Sequence, residues 1–384
     1  MTHVRPKTAF EVAIIGGGIM GLSTAWALKE SGHRRVALIE QAEVGHLRGS
    51  SNGGVRIARS TYPNPHYVRL MRRAQSDHWW RLAKALNREL IRPVPGCFFG
   101  PEGGLVDAYA AGVSQGGADA VRLTNAHAAE AFPTLQLSGC SVIRDHTAGV
   151  IDARTVRDGL LQSLRDSEVS VYQHTTVQHI DTTGPRICLS TSMGPLQADR
   201  VVITAGAWAT RLVPQLAHRL MVHRQDVGYY QGTDRQRSPA GDFAWVYLGH
   251  SNDEIYYGLP EDKHTLKTAH HRRSGFIDDP DEAPINRAIN LSSLDEFVRS
   301  QFTATLQRID AGTCPYTSTE TDDFIIAHHP DDERITIGAG FSGHGFKFSP
   351  IIGEILAELA TTGQSTIDEY NAMRHLLSIQ GPSR

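Results

Sequence analysis

Residues 12–21 read Val-Ala-Ile-Ile-Gly-Gly-Gly-Ile-Met-Gly, an apolar run that leads directly into a glycine-rich turn. The apolar run predicts a buried strand over 12–15, and a helix follows from about Ile19 to Ser31, ending near Gly32. A second strand is predicted at Val36–Ile39. This order of strand, glycine turn, helix and strand is typical of a dinucleotide-binding βαβ unit.

The glycines of this turn have separate physical roles. Gly16 permits the tight turn, Gly18 lets the backbone approach a pyrophosphate, and Gly21 lets the helix pack close to the strand. The helix N-terminus at Ile19 and Met20 offers free N–H groups and a positive dipole to the phosphates. The turn is therefore expected to bind the phosphates of a dinucleotide.

An acidic residue closes the second strand. Glu40 follows the glycines by about 20 residues, where a carboxylate can bind the ribose hydroxyls of an adenosine. An ordinary glycine turn without a ligand is the alternative interpretation. The order of strand, helix and acid favours ligand binding, but this motif does not distinguish NAD, NADP and FAD.

The bulk composition limits the classes of protein. The chain has 384 residues, too many for one typical core, which predicts two lobes. Hydrophobic residues make up 40% and charged residues 21%, as in a soluble globular protein. The net charge of −3 and the lack of an apolar run of ~20 residues give no reason to expect a nucleic acid or membrane partner. The polar start at 1–7 does not resemble a signal peptide.

The cysteine pattern limits the classes of protein further. The four cysteines, Cys97, Cys140, Cys188 and Cys314, lie far apart and form no C-x-x-C pair. This spacing argues against a structural zinc site and against a disulfide framework. The adjacent histidine pairs at 270–271 and 328–329 do not share one helical face, so no metal site is predicted. A reducing cytoplasm is the expected location.

The remainder of the chain alternates between helical and strand-like segments. The stretch Gly49–Arg59 is rich in glycine and serine, which suits a backbone that runs close to a ligand. Residues 66–86 predict one helix, in which Trp79 and Trp80 are expected to pack rather than to function. The remaining predictions are a strand at 97–100, a helix capped by Asp152, strands at 169–172 and 201–203, antiparallel strands at 227–230 and 255–258, and a helix at 353–360.

A second glycine-rich segment lies near the C-terminus. Residues 335–347 read Ile-Thr-Ile-Gly-Ala-Gly-Phe-Ser-Gly-His-Gly-Phe-Lys, with Cys314 upstream. This segment carries a family resemblance together with three other stretches, 16–21, 49–59 and Thr313–Thr317. The chain resembles the monomeric sarcosine oxidase group of the D-amino-acid-oxidase-like flavoproteins, which includes N-methyltryptophan and pipecolate oxidases. The matches follow the same order over almost the whole chain.

The resemblance implies a mixed α/β (α+β) fold with two domains. A Rossmann-type FAD-binding domain would be assembled from residues 1–90, 145–220 and 311–384. A substrate domain with an antiparallel sheet would use residues 91–144 and 221–310. The implied activity is FAD-dependent oxidation of a secondary amine or an N-methyl or cyclic amino acid to an imine, by a monomer that reduces O₂ to hydrogen peroxide.

The resemblance also assigns residues to the substrate and oxygen sites. Arg59 and Lys347 match the two cations that hold the substrate carboxylate, and Tyr316 adds a hydroxyl to the same group. Two fixed charges, one of them able to bind bidentately, suit an amino-acid carboxylate. Lys267 matches the lysine over the flavin, where an ammonium stabilises the negative charge that O₂ acquires. Without the resemblance, these side chains would be interpreted as solvated surface charges.

Other residues are assigned to the flavin and the amine. Cys314 matches the cysteine that is bonded through sulfur to the flavin 8α carbon, so covalent FAD is expected. Tyr257 and His271 correspond by spacing to residues on the amine side of the pocket, Arg56 to an arginine near the flavin ring, and Val177 to a backbone contact with adenine. The cofactor-binding set comprises Gly16, Gly18, Ile19, Met20, Gly21, Glu40, Gly49, Ser50, Asn52, Arg56, Val177, Gly206, Trp208, Cys314, Gly343, Gly345 and Lys347.

The chain also departs from the group at three places. Asn52 stands where many relatives have a histidine, Pro315 replaces a methionine, and the segment 245–248 does not match sarcosine oxidase. These departures imply a reshaped pocket, which would suit a bulkier or cyclic amino acid. Three other functions remain as alternatives: a flavin-dependent dehydrogenase with another electron acceptor, a nicotinamide-dependent enzyme, and a flavin-bearing subunit of a larger complex.

Overall fold

The computed structural model describes residues 9–232, 242–271, 274–282 and 289–380, so the polar segment at 1–7 lies outside the described residues. Twenty strands lie within the described ranges. They are β1 Ala9–Ile15, β2 Val36–Ile39, β3 Val55–Ala58, β4 Ile91–Pro93, β5 Gly96–Pro101, β6 Ala120–Leu123, β7 Cys140–Asp145, β8 Gly149–Asp152, β9 Ser170–Tyr172, β10 Val177–Asp181, β11 Ile187–Thr191, β12 Gly194–Ile203, β13 Met221–Gly232, β14 Ala244–Leu248, β15 Ile255–Pro260, β16 Thr265–His271, β17 Ser274–Phe276, β18 Leu306–Ser318, β19 Ile325–His329 and β20 Asp332–Ala339.

Ten α-helices connect or flank these strands in the described chain. They are α1 Ile19–Glu30, α2 Pro65–Arg73, α3 Trp79–Leu86, α4 Leu105–Gly116, α5 Asn125–Ala131, α6 Ala153–Arg165, α7 Ala209–Leu212, α8 Ser292–Gln301, α9 Ser349–Thr362 and α10 Asp368–Met373. The single helix predicted over 66–86 is interrupted by a π-helical turn at Ala74–His78. A π turn holds more residues than an α turn, so it changes the direction in which the following side chains point.

The first sheet is built around the predicted βαβ unit. Its eight described strands follow the order β10-β11-β12-β1-β2-β9, with β20 beside β12 and β19 beside β20. β1 lies parallel to both β12 and β2, and α1 crosses between β1 and β2. The strand, glycine turn, helix and second strand expected from residues 12–39 are therefore confirmed.

Helices cover one face of this sheet. α1 and α9 pack closely at Gly353 of α9. A Cβ at this position would overlap Ser23 of α1, so glycine permits the close approach. Leu22 and Trp26 of α1 share one buried core with several residues of α9 and α6. α6 begins as predicted, with the Asp152 side chain accepting a hydrogen bond from the Thr155 amide at 2.8 Å. The opposite face has its own apolar core.

The second sheet is largely antiparallel. Its nine described strands follow the order β17-β13-β16-β15-β14-β5-β7-β6, with β18 beside β13, and only the β14–β5 pair among these is parallel. Trp245 and Phe99 lie in its core with Phe132. This arrangement confirms a mixed α/β fold with an antiparallel second sheet. The domain boundaries stay a prediction, and β18 belongs to the second sheet although it extends across residue 311.

Three smaller findings complete the description. β3, β8 and β4 form a short third sheet. All four cysteines have free thiols. Among the described residues, no helix is long and apolar enough to cross a bilayer, and no cluster of His, Cys, Asp and Glu side chains has the arrangement of a metal site.

Candidate active site

One cavity of about 920 Å³ runs along the carboxyl ends of β1 and β12 and continues beneath the second sheet. Its volume is at the upper end of the ~300–1,000 Å³ typical of ligand sites. All of the predicted site residues line it except Gly21. The tertiary structure thus brings residues from both ends of the chain to one continuous space.

The glycine turn forms one wall of the cavity. Gly16 has a φ of 108°, and a Cβ there would overlap the Thr204 backbone, so only glycine fits. Gly21 does not reach the cavity, because it packs directly against the Gly16 carbonyl of the preceding strand. Gly18 precedes α1 and leaves the helix N-terminus open to the cavity. The Ile19 amide at that terminus is hydrogen-bonded to Ser51 Oγ at 3.0 Å.

Glu40 lies at the far end of the same wall. Its carboxylate is buried and accepts hydrogen bonds from the Gly17 amide at 2.7 Å and from the Ala42 amide at 2.8 Å. The Glu40 carbonyl accepts a hydrogen bond from the Thr175 amide, which places Val177 nearby on the cavity wall. Each carboxylate oxygen keeps a further lone pair, so Glu40 can still accept hydrogen bonds from ribose hydroxyls.

Two other predicted cofactor residues lie on the 206–208 turn. Gly206 has a φ of 54° and leads into a short 3₁₀ turn that ends at Trp208. The Trp208 indole donates a hydrogen bond to Asp281 Oδ1 at 2.9 Å, and the Arg48 guanidinium lies 5.5 Å from the centre of its ring. Trp208 therefore both lines the cavity and holds the first sheet's turn to a segment after the second sheet's β17.

The segment 49–56 crosses the middle of the cavity. Arg56 holds it together, since its guanidinium donates to the carbonyls of Ser50 at 3.0 Å, Val55 at 2.8 Å and Asn52. Ser50 Oγ donates to the Pro315 carbonyl at 2.6 Å. This bond ties the segment to β18 beside Cys314.

Burial and nearby charges act in opposite directions on the Cys314 thiol. Burial raises the pKa of the thiol, whereas the charges of Arg56 and Lys267 lower it. The side chain is partly accessible and faces the cavity. Positive charge is therefore present beside the thiol, but burial outweighs it and the pKa is raised.

Arg59 and Lys347 converge on one aromatic ring. The Arg59 guanidinium lies 4.0 Å from the centre of the Tyr62 ring, and Lys347 Nζ lies 5.8 Å from the same centre. Arg59 also donates to the Thr61 carbonyl. Lys347 Nζ donates to the His344 carbonyl at 2.9 Å. Sequence reasoning missed Tyr62, the shared neighbour of both cations.

Neither of these cations has a carboxylate partner within 4 Å among the described residues. Lys347 is only 4% exposed. Burial, followed by the charges of Arg59 and Arg56, holds the pKa of Lys347 well below its usual range. A ligand anion in the cavity would relieve this repulsion, so the charges of this pair suit an anion.

A fully buried carboxylate fixes the backbone after Arg59. Asp145 Oδ2 accepts hydrogen bonds from the Ser60 amide at 2.9 Å, the Thr61 amide at 3.1 Å and Thr61 Oγ1 at 2.8 Å. Asp145 Oδ1 accepts two more from Thr147. The Thr61 carbonyl in turn accepts from Arg59. Asp145 thus holds the peptide that orients the guanidinium.

The π-helical turn has a matching effect on Lys347. Trp79, the first residue after the turn, donates its indole N–H to the Lys347 carbonyl at 2.7 Å. Sequence reasoning predicted that Trp79 and Trp80 pack. Trp79 is buried as predicted and also positions Lys347, whereas Trp80 is 60% exposed, so its predicted packing is wrong.

Lys267 reaches the cavity from β16. Its Nζ is hydrogen-bonded to the Val55 carbonyl at 3.4 Å and lies beside Gly53. Burial and then the Arg56 charge lower the pKa of Lys267 to about 8, while Glu261 acts in the opposite direction. The amine therefore changes charge within the ordinary working range of pH.

The aromatic side chains predicted for the substrate end lie together. The Tyr257 and Tyr316 hydroxyls are 3.2 Å apart, and the His271 ring centre lies 6.4 Å from that of Tyr257 and 5.9 Å from that of Tyr316. Burial raises the pKa of Tyr257 to about 12, which keeps its phenol neutral. A Cβ at Gly343 would overlap the Tyr316 ring, and one at Gly345 would crowd Phe341.

The features of the cavity fit FAD. A buried acid at the adenosine end, a helix N-terminus for the phosphates, and a thiol and cations at the other end occur in the order in which a flavin dinucleotide presents its parts. Fold and site together define the chain as a dinucleotide-dependent oxidoreductase with two large sheets.

Comparison with known proteins identifies the family. Residues 11–359 match the FAD dependent oxidoreductase family, and the chain belongs to it. It is 29% identical to monomeric sarcosine oxidase of Bacillus sp. (strain NS-129), over 94% of this chain and 95% of that protein, and 31% identical to peroxisomal sarcosine oxidase of Homo sapiens, over 92% and 93%. The structure of NikD, an unusual amino acid oxidase essential for nikkomycin biosynthesis, superposes with a TM-score of 0.82 at 21% identity, over 97% and 98%. The predicted relationship to the sarcosine oxidase group is confirmed, and the protein is an FAD-dependent enzyme that oxidises amino acids or amines.

Proposed function

We propose that this enzyme oxidises a secondary amine, in the form of an N-methyl or cyclic amino acid, and reduces O₂ to hydrogen peroxide. The observation that carries the proposal is the pair Arg59, which is half-buried, and Lys347, which is buried; both face the cavity without a carboxylate partner in the described chain. An amino-acid carboxylate supplies the missing negative charge. Sarcosine oxidase relatives support a small amino-acid substrate.

Bound FAD supplies the redox chemistry, accepting two electrons from the amine and delivering them to O₂. In the overall reaction the substrate loses a hydride and a proton to become an imine, O₂ gains both to become H₂O₂, and water hydrolyses an acyclic imine. The protein orients the amine and stabilises charge. Arg59 and Lys347 bind the carboxylate, and the Tyr316 hydroxyl donates a hydrogen bond to it. Tyr257 and His271 shape the side of the pocket that holds the amine.

The oxygen reaction is assigned to Lys267. Its amine is buried beside Gly53 and Arg56, where a positive charge stabilises the negative charge that O₂ gains. Because O₂ itself serves as the acceptor, no partner protein is required. We propose a monomer that works in the cytoplasm.

Peroxide release across a substrate panel tests this function. The purified holoenzyme is given sarcosine, N-methyltryptophan, pipecolate, proline and several D-amino acids in air, with a coupled peroxidase assay. Peroxide release with a secondary amino acid is the expected result, and the size of the best substrate indicates the size of the pocket. A primary D-amino acid as the best substrate would contradict the secondary-amine assignment.

The flavin-dependent dehydrogenase is the alternative function, and anaerobic mixing distinguishes it. If a secondary amino acid bleaches the yellow enzyme anaerobically but no peroxide forms in air, the electrons pass to another acceptor. If none of the amines bleaches the enzyme, the proposed substrate class is wrong.

Covalent attachment of FAD through Cys314 is part of the proposal. The support is the position of the thiol on the cavity wall beside Arg56 and Lys267, whose charges favour the thiolate. Bond formation between sulfur and the 8α carbon is an oxidation overall. The thiol and the methyl group each give up one hydrogen, and O₂, which becomes H₂O₂, balances the step.

Cys314→Ser is expected to abolish this attachment while leaving the fold intact, because serine is nearly isosteric but is a much weaker nucleophile. Acid precipitation should leave the wild-type pellet yellow and move all colour of the variant into the supernatant. Cys188→Ser, a change at a distant free cysteine, should behave as wild type. Colour that leaves the wild-type pellet as well would contradict the covalent bond.

A further inference from the structure

Glu261 lies at the tip of a hairpin, and its carboxylate points into the protein. It follows β15, and its amide donates to the Thr265 carbonyl at 2.8 Å at the start of β16. Glu261 Oε1 occupies the space where a Cβ of Gly54 would lie. Glu261 Oε2 is buried, and no donor in the described part of the chain hydrogen-bonds to it. A buried carboxylate oxygen without a donor is costly, which indicates that its charge has a function.

The side chains of Lys267 and Glu261 both approach the same short backbone segment, Gly53–Gly54. Lys267 Nζ lies 3.5 Å, and Arg56 Nη1 3.3 Å, from the position of a Cβ on Gly53. Lys267 pairs with Leu259 across the hairpin, two residues before Glu261, so one rigid element carries both charges. Glycine at both positions leaves room for the three charged groups.

We propose that Glu261 is the counter-ion that keeps Lys267 protonated beside the cofactor, and hence a positioning residue for the oxygen reaction. The inference rests on the oxygen role proposed above for Lys267. Nothing in the sequence pointed to Glu261, because it lies in a polar turn, Glu261–His264, that is typical of solvent-exposed hairpins.

The surrounding charges explain why a counter-ion is needed. Burial opposes the Lys267 charge most strongly and Arg56 repels the ammonium, whereas Glu261 favours it. Burial raises the pKa of Glu261, whereas the charges of Lys267, Arg56 and Arg154 lower it and that of Asp262 raises it. With Glu261 removed, two effects that favour the neutral amine would act almost unopposed.

Glu261→Gln in the holoenzyme tests the proposal directly. The chain has only six lysines, Lys7, Lys29, Lys84, Lys263, Lys267 and Lys347, so ¹³Cε-lysine NMR can follow each one. The Lys267 resonance is assigned from its loss in Lys267→Met. We expect its titration midpoint to fall by about one pH unit, since a nearby opposite charge shifts a pKa by about 1–3 units.

The reoxidation rate of substrate-reduced enzyme should follow the same titration. If Lys267 titrates at about 8 in wild type and one unit lower in the variant, the protonated fraction at pH 8 falls roughly fivefold, and so does the rate. The rates should converge again at pH 6, where Lys267 is protonated in both proteins. Reduction by substrate should change much less than reoxidation.

Two further variants separate charge from structure. Asp262→Asn removes one negative charge from the exposed side of the same turn and keeps the oxygen that accepts from the His264 and Thr265 amides, so the Lys267 titration should not move. Gly54→Asp combined with Glu261→Ser places a carboxylate in the same space from the segment that precedes β3. It should restore both the titration midpoint and the rate profile.

The outcomes are distinguishable. An unchanged Lys267 midpoint in Glu261→Gln overturns the proposal, even if the variant is slow. A lowered midpoint that the relocated carboxylate restores supports it. If Lys267→Met reoxidises at the wild-type rate, the oxygen site of the proposed function is wrong, and the NMR titration still decides whether Glu261 is the counter-ion.

Discussion

Lys267→Met is expected to slow reoxidation of the substrate-reduced enzyme by about 10²–10³-fold, the usual cost of removing one preorganised group that stabilises developing charge. Methionine keeps the length and apolar stem of the side chain but carries no charge, so the cavity should retain its shape. The reduction of the enzyme by substrate should be nearly unaffected, because Lys267 lies beside Gly53 rather than at the Arg59–Lys347 pair. Stopped-flow absorbance measures the two half-reactions separately.

The control for this prediction lies on the same hairpin. Lys263 is exposed to solvent, so Lys263→Met removes an equal charge and should leave both half-reactions at wild-type rates. Equal reoxidation rates in Lys267→Met and wild type would remove Lys267 from the oxygen reaction. A loss confined to the reduction half-reaction would instead assign it to substrate binding.

Arg59→Ala should lower kcat/KM for an amino-acid substrate by about two orders of magnitude or more. Removing one partner of a buried charge pair costs about 2–5 kcal/mol, and 1.36 kcal/mol corresponds to a factor of ten. FAD content should remain at the wild-type level, because Arg59 contacts Thr61 and Tyr62 rather than the glycine turn. Steady-state kinetics together with the ratio of flavin to protein absorbance test both parts.

Two further variants serve as controls for the Arg59→Ala prediction. Arg59→Lys keeps the charge but loses the bidentate geometry, so its defect should be smaller than that of alanine. Arg88→Ala removes an exposed arginine and should have no effect. If the apparent affinity for substrate is unchanged in Arg59→Ala, the carboxylate is bound elsewhere. Equal loss of FAD and of activity would make Arg59 a residue of the cofactor site.

The proposed carboxylate site contains contacts that the sequence does not predict. The motifs located Arg59 and Lys347 almost 290 residues apart, but they did not reveal what surrounds them. Asp145, Tyr62 and Trp79 hold the two cations in place through contacts that span up to 268 residues. An aspartate at a strand end and a tryptophan in a helix have no pattern that distinguishes a positioning role from ordinary packing.

The interrupted helix over 66–86 is a second example. Its apolar spacing predicts a continuous helix, because a π turn shifts the helical phase without leaving a strong mark on composition. In the folded protein, Trp79 directly after the turn donates a hydrogen bond to the Lys347 carbonyl. This contact joins residues 268 positions apart, so local sequence could not reveal it.

The sequence by itself determined the βαβ unit, the class of cofactor and the order of the motifs. These features depend on local chemistry: apolar periodicity forms the strands and α1, and the close approach of backbone at Gly16 and Gly21 requires glycine. Only the tertiary structure decided which charges face one another. Glu261 is remote from Gly54 along the chain, and its carboxylate takes the space of the missing Gly54 Cβ, next to Gly53, where Lys267 Nζ lies. Electrostatic interactions depend on distance and burial, and folding alone fixes both.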